Sequence, residues 1–117
     1  MLKVLLAEDD QTMVTLLKTL LKMEGYQVSA LDIDSDIPKE VLAANPDVLV
    51  MDVHLLNSNG MDELAKLRAL PGGESVRVLM TSGLDFKDQC LKLGANGFLQ
   101  KPFMPDDLIN SLRDISK

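Results

Sequence analysis

Val48-Leu49-Val50-Met51-Asp52 is an unbroken apolar run closed by a single acid. A strand with one wet face alternates polar and apolar residues. A run with no polar position suits a strand buried on both faces, as in a parallel sheet covered by helices. The pattern recurs on either side of it. Val4-Leu5-Leu6-Ala7 runs into Glu8-Asp9-Asp10, and Val76 with Val78-Leu79-Met80 runs into Thr81-Ser82-Gly83. Weaker strands read at Val28 to Leu31 and at Gly97-Phe98-Leu99-Gln100, the latter just before Lys101-Pro102.

Between these runs the apolar period becomes helical. Met13, Leu16, Leu17, Leu20 and Leu21 share a helical stripe that Gly25 closes. Asp36 and Pro38 open a short second helix carrying Val41 and Leu42, stopped before Pro46. Met61, Leu64 and Leu67 mark a third, ending before Pro71-Gly72-Gly73, and Phe86, Cys90 and Leu93 a short fourth, closed by Gly94. Pro105-Asp106-Asp107 start the last, with acids where the helix dipole favours them, and Leu108, Leu112 and Ile115 give its stripe. Five strands alternating with five helices predict an α/β fold: a doubly wound, five-stranded parallel sheet in a three-layer α/β/α sandwich. Ligands of such sheets sit beyond the carboxyl ends of the strands. The residues delivered there are Glu8, Asp9, Asp10, Asp52, Ser82 and Lys101.

The chain of 117 residues is the size of one domain, so residues 1–117 are expected to form a single unit. It is 46% hydrophobic and 26% charged, which argues against disorder. With 12 Lys+Arg against 18 Asp+Glu it is acidic, and direct nucleic-acid binding is not expected. The single cysteine, Cys90, excludes an internal disulfide and a multi-cysteine zinc site, and is read as a core thiol. The apolar runs are strand-sized and the first ten residues do not resemble a signal peptide, so a cytoplasmic domain without membrane contact is expected.

Carboxylates converging on one spot repel one another unless a cation sits between them. An all-oxygen set suits a hard cation such as Mg²⁺. An oriented carboxylate such as Asp52 beside such an ion can act as a nucleophile on phosphorus, while Lys101 neutralises phosphoryl charge and Ser82 donates a hydrogen bond. Each element has a bland reading when taken alone: acids in turns, a surface lysine before proline, a Ser-Gly turn. Their joint arrival at one sheet edge favours the functional one. For Asp10 and the side chain of His54 the bland readings stay ahead, as a helix cap and a loop side chain.

In this order, with Gly60 eight residues and Ser82 thirty residues after Asp52, the residues Glu8-Asp9, Asp52, Ser82 and Lys101-Pro102-Phe103 resemble the receiver domain of two-component response regulators. The resemblance covers the whole chain and implies a flavodoxin-like strand order, 2-1-3-4-5. It implies that Asp52 is the phosphoacceptor, taking its phosphoryl group from a sensor histidine kinase or phosphotransfer protein. Mg²⁺ would be held by Glu8, Asp9, Asp52 and the backbone carbonyl of His54. Ser82, Gly83 and Lys101 would surround the phosphoryl group, and Ser82 and Phe98 would be the switch residues. Thr81, next to Ser82 but on the opposite strand face, is the alternative hydroxyl. Lys101-Pro102 would be a cis peptide. The output would be a protein target or an output domain outside this sequence, with a homodimer through the face of the fourth and fifth helices as a further option.

The chain departs from the family pattern at several places. Fewer residues separate Ser82 from Lys101, so the fourth helix is expected to be short. Leu56 stands where many relatives have proline, and Phe98 lacks a tyrosine hydroxyl. Gly83 places no side chain beside the phosphoryl group, which predicts open access for water. The competing readings are a haloacid-dehalogenase-like phosphatase, a flavin- or nucleotide-binding domain, and a degenerate receiver that never takes phosphate. The first would need a second Asp where His54 stands. The second would need a Gly/Ser/Thr-rich loop where Glu8-Asp9-Asp10 stands. The expectation is a signalling domain, not a turnover enzyme.

Overall fold

The apolar runs become the strands of one parallel sheet: β1 (Lys3–Ala7), β2 (Gln27–Ala30), β3 (Val48–Asp52), β4 (Arg77–Ser82) and β5 (Gly97–Gln100). The structure is a computed structural model and describes residues 2–116. The strand order is β2-β1-β3-β4-β5, the order that the resemblance implies. Every residue of β3 is buried, as an unbroken apolar run requires, whereas the edge strand β2 is largely exposed. Polar, short edges such as Gln27-Val28-Ser29-Ala30 discourage pairing with another chain.

Strand alternation divides the core in two. Leu5, Ala7, Leu49, Met51, Val53, Val78 and Met80 point to one face of the sheet. There they meet Ile37 and Val41 of α2 (Ile37–Ala44), Leu64 and Leu67 of α3 (Gly60–Ala69), and Cys90 of α4 (Lys87–Lys92). Val4, Leu6, Val48, Val50 and Leu79 point to the other face, against Leu17 and Leu21 of α1 (Gln11–Met23) and Leu108, Ile109 and Leu112 of α5 (Pro105–Ile115). This is the expected three-layer sandwich. No described helix is long and apolar enough to cross a membrane.

Helix starts follow the capping residues. Asp10 accepts from the backbone N–H of Thr12 (3.0 Å) and Met13 (3.3 Å), the cap role expected of it. Asp36 caps α2 through Lys39 N–H, and Asn59 caps α3 through Met61 N–H. Gly94, at φ +100°, turns the chain out of α4, a backbone conformation that side chains rarely adopt. The fourth helix is short, at six residues, as the sequence spacing predicts.

Some local expectations need correction. In α1 the buried stripe is Val14, Leu17 and Leu21, while Leu16 is half exposed, because the true face runs through Val14, with Met13 packed beside it. Val76 lies outside β4. Its N–H instead bonds the Gly73 carbonyl at the end of a 3-10 turn, Gly73–Ser75, that the Pro71-Gly72-Gly73 break conceals. Leu31 falls just past β2, although its N–H still reaches the Leu6 carbonyl (2.8 Å).

Candidate functional site at the carboxyl edge

All five strands are parallel, so their carboxyl ends open on one edge. Strand β1 delivers Glu8 and Asp9 there, β3 delivers Asp52, and Lys101 follows β5. Glu8 and Asp52 are both buried, at 7% exposure each. The Lys101 ammonium bridges them, donating to Glu8 Oε2 at 3.1 Å and Asp52 Oδ2 at 3.2 Å. The other oxygen of Asp52, Oδ1, accepts the backbone N–H of His54 at 3.2 Å. Glu8 Oε1 accepts the N–H of Asp10 at 3.3 Å.

Glu8, Asp9 and Asp52 can each offer a carboxylate oxygen, all within 4.8 Å of one another. When all three carboxylates are ionised, they outnumber the one ammonium and leave net negative charge at a partly buried edge. Both the charge and the oxygen chemistry fit a divalent cation such as Mg²⁺. The protonation equilibria carry the same imprint. Burial, reinforced by the charge of Asp52, pushes the Glu8 carboxyl up to about 7, against the opposing pull of Lys101. Burial disfavours the charged form of Lys101, but Asp52 and Glu8 outweigh it and hold its pKa above the usual lysine value.

The loop after β3 is tied down by its own backbone. Gly60 N–H bonds the Val53 carbonyl (2.6 Å), Leu55 N–H bonds the Ser58 carbonyl (3.2 Å), and His54 and Asn59 form an antiparallel bridge. Gly60 packs so closely that an added Cβ would overlap the Asp52 carbonyl oxygen. The Lys101-Pro102 peptide is cis, as the resemblance implies.

The residues expected to act as the switch, Ser82 and Phe98, lie on β4 and β5. Ser82 ends β4, fully buried, and its hydroxyl accepts the N–H of Leu84 at 3.1 Å. Thr81 is also buried and sits beside Asp52 in the β3–β4 register. Phe98 is half-buried, paired with Met80 across β4 and β5 and packed on the core. Gly83 has open space where a Cβ would lie. The imidazole of His54 is exposed and meets the ring of Phe86 edge-on. That contact, and the brace from Asn57 Nδ2 to Asp34 Oδ1 (2.6 Å), escaped the sequence reading, because both join loops distant in sequence.

The family model for the response regulator receiver domain matches residues 4–113. The chain belongs to this family. It is 34% identical over 115 residues to the transcriptional regulatory protein CpxR of Escherichia coli K12, an alignment covering 97% of this chain and 48% of that protein. The chain thus spans about half the length of the curated relatives it matches. A putative response regulator from Chloroflexus aurantiacus superposes with a TM-score of 0.89 at 28% identity, covering 98% of this chain and 97% of that one. The receiver domain of sensor histidine kinase PA1611 from Pseudomonas aeruginosa superposes with a TM-score of 0.85 at 25% identity, covering 98% and 97%. That structure has a magnesium ion coordinated in its active site cleft.

Proposed function

We propose that this receiver accepts a phosphoryl group on Asp52 from a histidine kinase or phosphotransfer protein and changes the shape of its α4–β5–α5 face in response. The observation that carries the reading is the buried Asp52 carboxylate, bridged by Lys101 and facing Glu8 and Asp9. Glu8, Asp9, Asp52 and the carbonyl of His54 would hold Mg²⁺. When bound, the ion supplies charge neutralisation for phosphoryl oxygens.

The chain's own residues perform the remaining work. Hydrogen bonds from His54 N–H and Lys101 orient the Asp52 carboxylate. One carboxylate oxygen attacks phosphorus in line with the phosphohistidine P–N bond. The O–P bond forms as the P–N bond breaks, and the imidazole leaves with its electron pair. Lys101 shifts from the carboxylates onto a phosphoryl oxygen. Ser82 turns its hydroxyl from Leu84 toward the phosphoryl group, and Phe98 moves into the space vacated. The response is a population shift between two states of one element.

We read residues 1–117 as one receiver domain acting in the cytoplasm, as a signalling module and not a turnover enzyme. Its output passes to a protein target or to a domain of a longer regulator, a reading supported by the matched half of CpxR. The test is intact mass after incubation with acetyl phosphate, with and without Mg²⁺. One phosphoryl group gained only with the metal, and lost in Asp52→Asn, is the expected result. A folded protein that gains nothing would sink the reading.

A further inference from the structure

Helix α4 is held very differently at its two ends. At the carboxyl end, the Arg68 guanidinium makes five hydrogen bonds. Nη1 donates to the carbonyls of Gly73 (2.7 Å) and Val76 (2.6 Å), while Nε and Nη2 both donate to the Gly94 carbonyl (3.1 and 2.7 Å). Nη2 also reaches Asn96 Oδ1 (3.2 Å), which accepts the N–H of Val78 in β4 (2.8 Å). The turn leaving α4 is therefore fastened to α3 and to the sheet.

The amino end has much less. Phe86 occupies the cap position and offers no side-chain hydrogen bond; its own N–H donates to the Leu84 carbonyl (3.1 Å), and that of Lys87 is met by Asp85 Oδ1 (3.1 Å). Six residues are too few to be helical on their own propensity, so packing decides where this end lies. Phe86 supplies that packing. One part of its ring lies on the core and another meets His54, with centroids 5.8 Å apart and planes at 63°. His54 in turn is the residue whose N–H holds Asp52 Oδ1. Asp52, His54, Phe86 and α4 thus form one contiguous chain of side-chain and loop contacts, distinct from the backbone link that joins Phe86 through Leu84 to the Ser82 hydroxyl.

We infer that the His54–Phe86 contact is a latch on the less firmly held end of α4, and that it transmits the state of Asp52 to α4 as a second route beside the Ser82–Phe98 route. The inference rests on the proposed phosphoacceptor role of Asp52. A group added to Asp52 changes the demand on its Oδ1 and on the loop that carries His54. The edge-on ring pair moves or parts with that loop, and α4 swings about the end fixed by Arg68. A single edge-on ring pair is a weak contact, strong enough to bias a two-state helix without locking it.

The test uses the full chain with Mg²⁺ and beryllofluoride as the phosphoryl mimic, read by backbone amide shifts. In the unaltered protein the mimic should move residues 87–92. Phe86→Leu keeps apolar volume but removes the ring, and should cut that α4 response by about half while Phe98 still responds. Phe86→Tyr should restore it. Should Phe86→Leu fail to fold, His54→Ala probes the same contact from an exposed residue and should reduce the α4 response equally. The double variant should be no worse than either single one. An α4 response that is undiminished in both single variants, or losses that add in the double, would overturn the latch. No response anywhere in the unaltered protein would overturn the phosphoacceptor reading and the latch with it, a result distinct from a response confined to Ser82 and Phe98.

Discussion

Two half-buried cations sit at opposite edges of the sheet, and their surroundings push them in opposite directions. Arg68, at the amino edge, donates its hydrogen bonds to backbone carbonyls and one amide, and burial lowers its pKa against the opposing charge of Glu74. Lys101, at the carboxyl edge, pays the same burial penalty, yet two carboxylates raise its pKa. At the amino edge neutral acceptors take up the donors of the guanidinium, with the charge of Glu74 nearby. At the carboxyl edge the acids outnumber the cation. One edge is closed by its own hydrogen bonds, while the other retains negative charge for an incoming ion to neutralise.

The comparison breaks most visibly at Lys101. Lys101→Met should slow phosphoryl gain from acetyl phosphate on the order of 100-fold, the scale for removing one charge-stabilising donor. Rates within a few-fold of the unaltered protein, measured by mass against time, would place the lysine outside the chemistry. Arg68→Ala should do the reverse. It leaves the Gly73, Val76 and Gly94 carbonyls without their donor and should cost about 2–4 kcal/mol in denaturant unfolding. Its Mg²⁺ affinity should be unchanged, and a matching loss of metal binding would mean that the two edges are not independent.

Acidity sharpens the contrast further. The folded protein holds the Glu8 carboxyl near 7, against an ordinary value of 4.5. Between those values the folded state therefore binds more protons than the unfolded chain, and stability falls as pH rises through that window. Lys101 titrates far above it and adds no slope there. Thermal midpoints in a chelator should decline from about pH 5 to pH 7 and then level off, and saturating Mg²⁺ should flatten or invert that slope. A chelated protein that instead gains stability across the window would show Glu8 to be paired well enough without metal. The smallest effect is expected at Gly83, where a side chain has room. Gly83→Thr should lengthen the phosphoryl lifetime a few-fold by screening the group from water, and an unchanged decay rate would remove Gly83 from the account.

How much of this was legible in the sequence depends on what each feature rests on. Continuous apolar runs fix the central strands, because no other element hides every side chain of Val48-Leu49-Val50-Met51. The carboxyl-edge acids follow from the same reading, since parallel strands must deliver Glu8, Asp9 and Asp52 to one side. Asp10 reads correctly as a cap, because capping is local chemistry. The stripe of α1 was blurred by Leu16, an apolar residue on the wet face that periodicity cannot tell from a core position. The Arg68 staple and the His54–Phe86 pair were not legible. Each joins segments whose approach depends on the turns at Gly73 and Gly94 and on the length of α4. The same strand-end reading delivers Lys101 and Ser82 to that edge, but not the engagement of the Ser82 hydroxyl with Leu84.

The two oxygens of Asp52 are alike in the free amino acid and unlike here. Oδ1 is held by a backbone N–H that belongs to the loop itself, while Oδ2 is held by an ammonium on a flexible four-carbon stem. Releasing Oδ1 would disturb the loop's own hydrogen bond; releasing Oδ2 requires only a rotation of the lysine stem. The fold has thereby broken the symmetry of the carboxylate before any reaction. It gives the side chain a handedness, one oxygen moored and one free to be exchanged, that no reading of the letters Met51-Asp52-Val53 could contain.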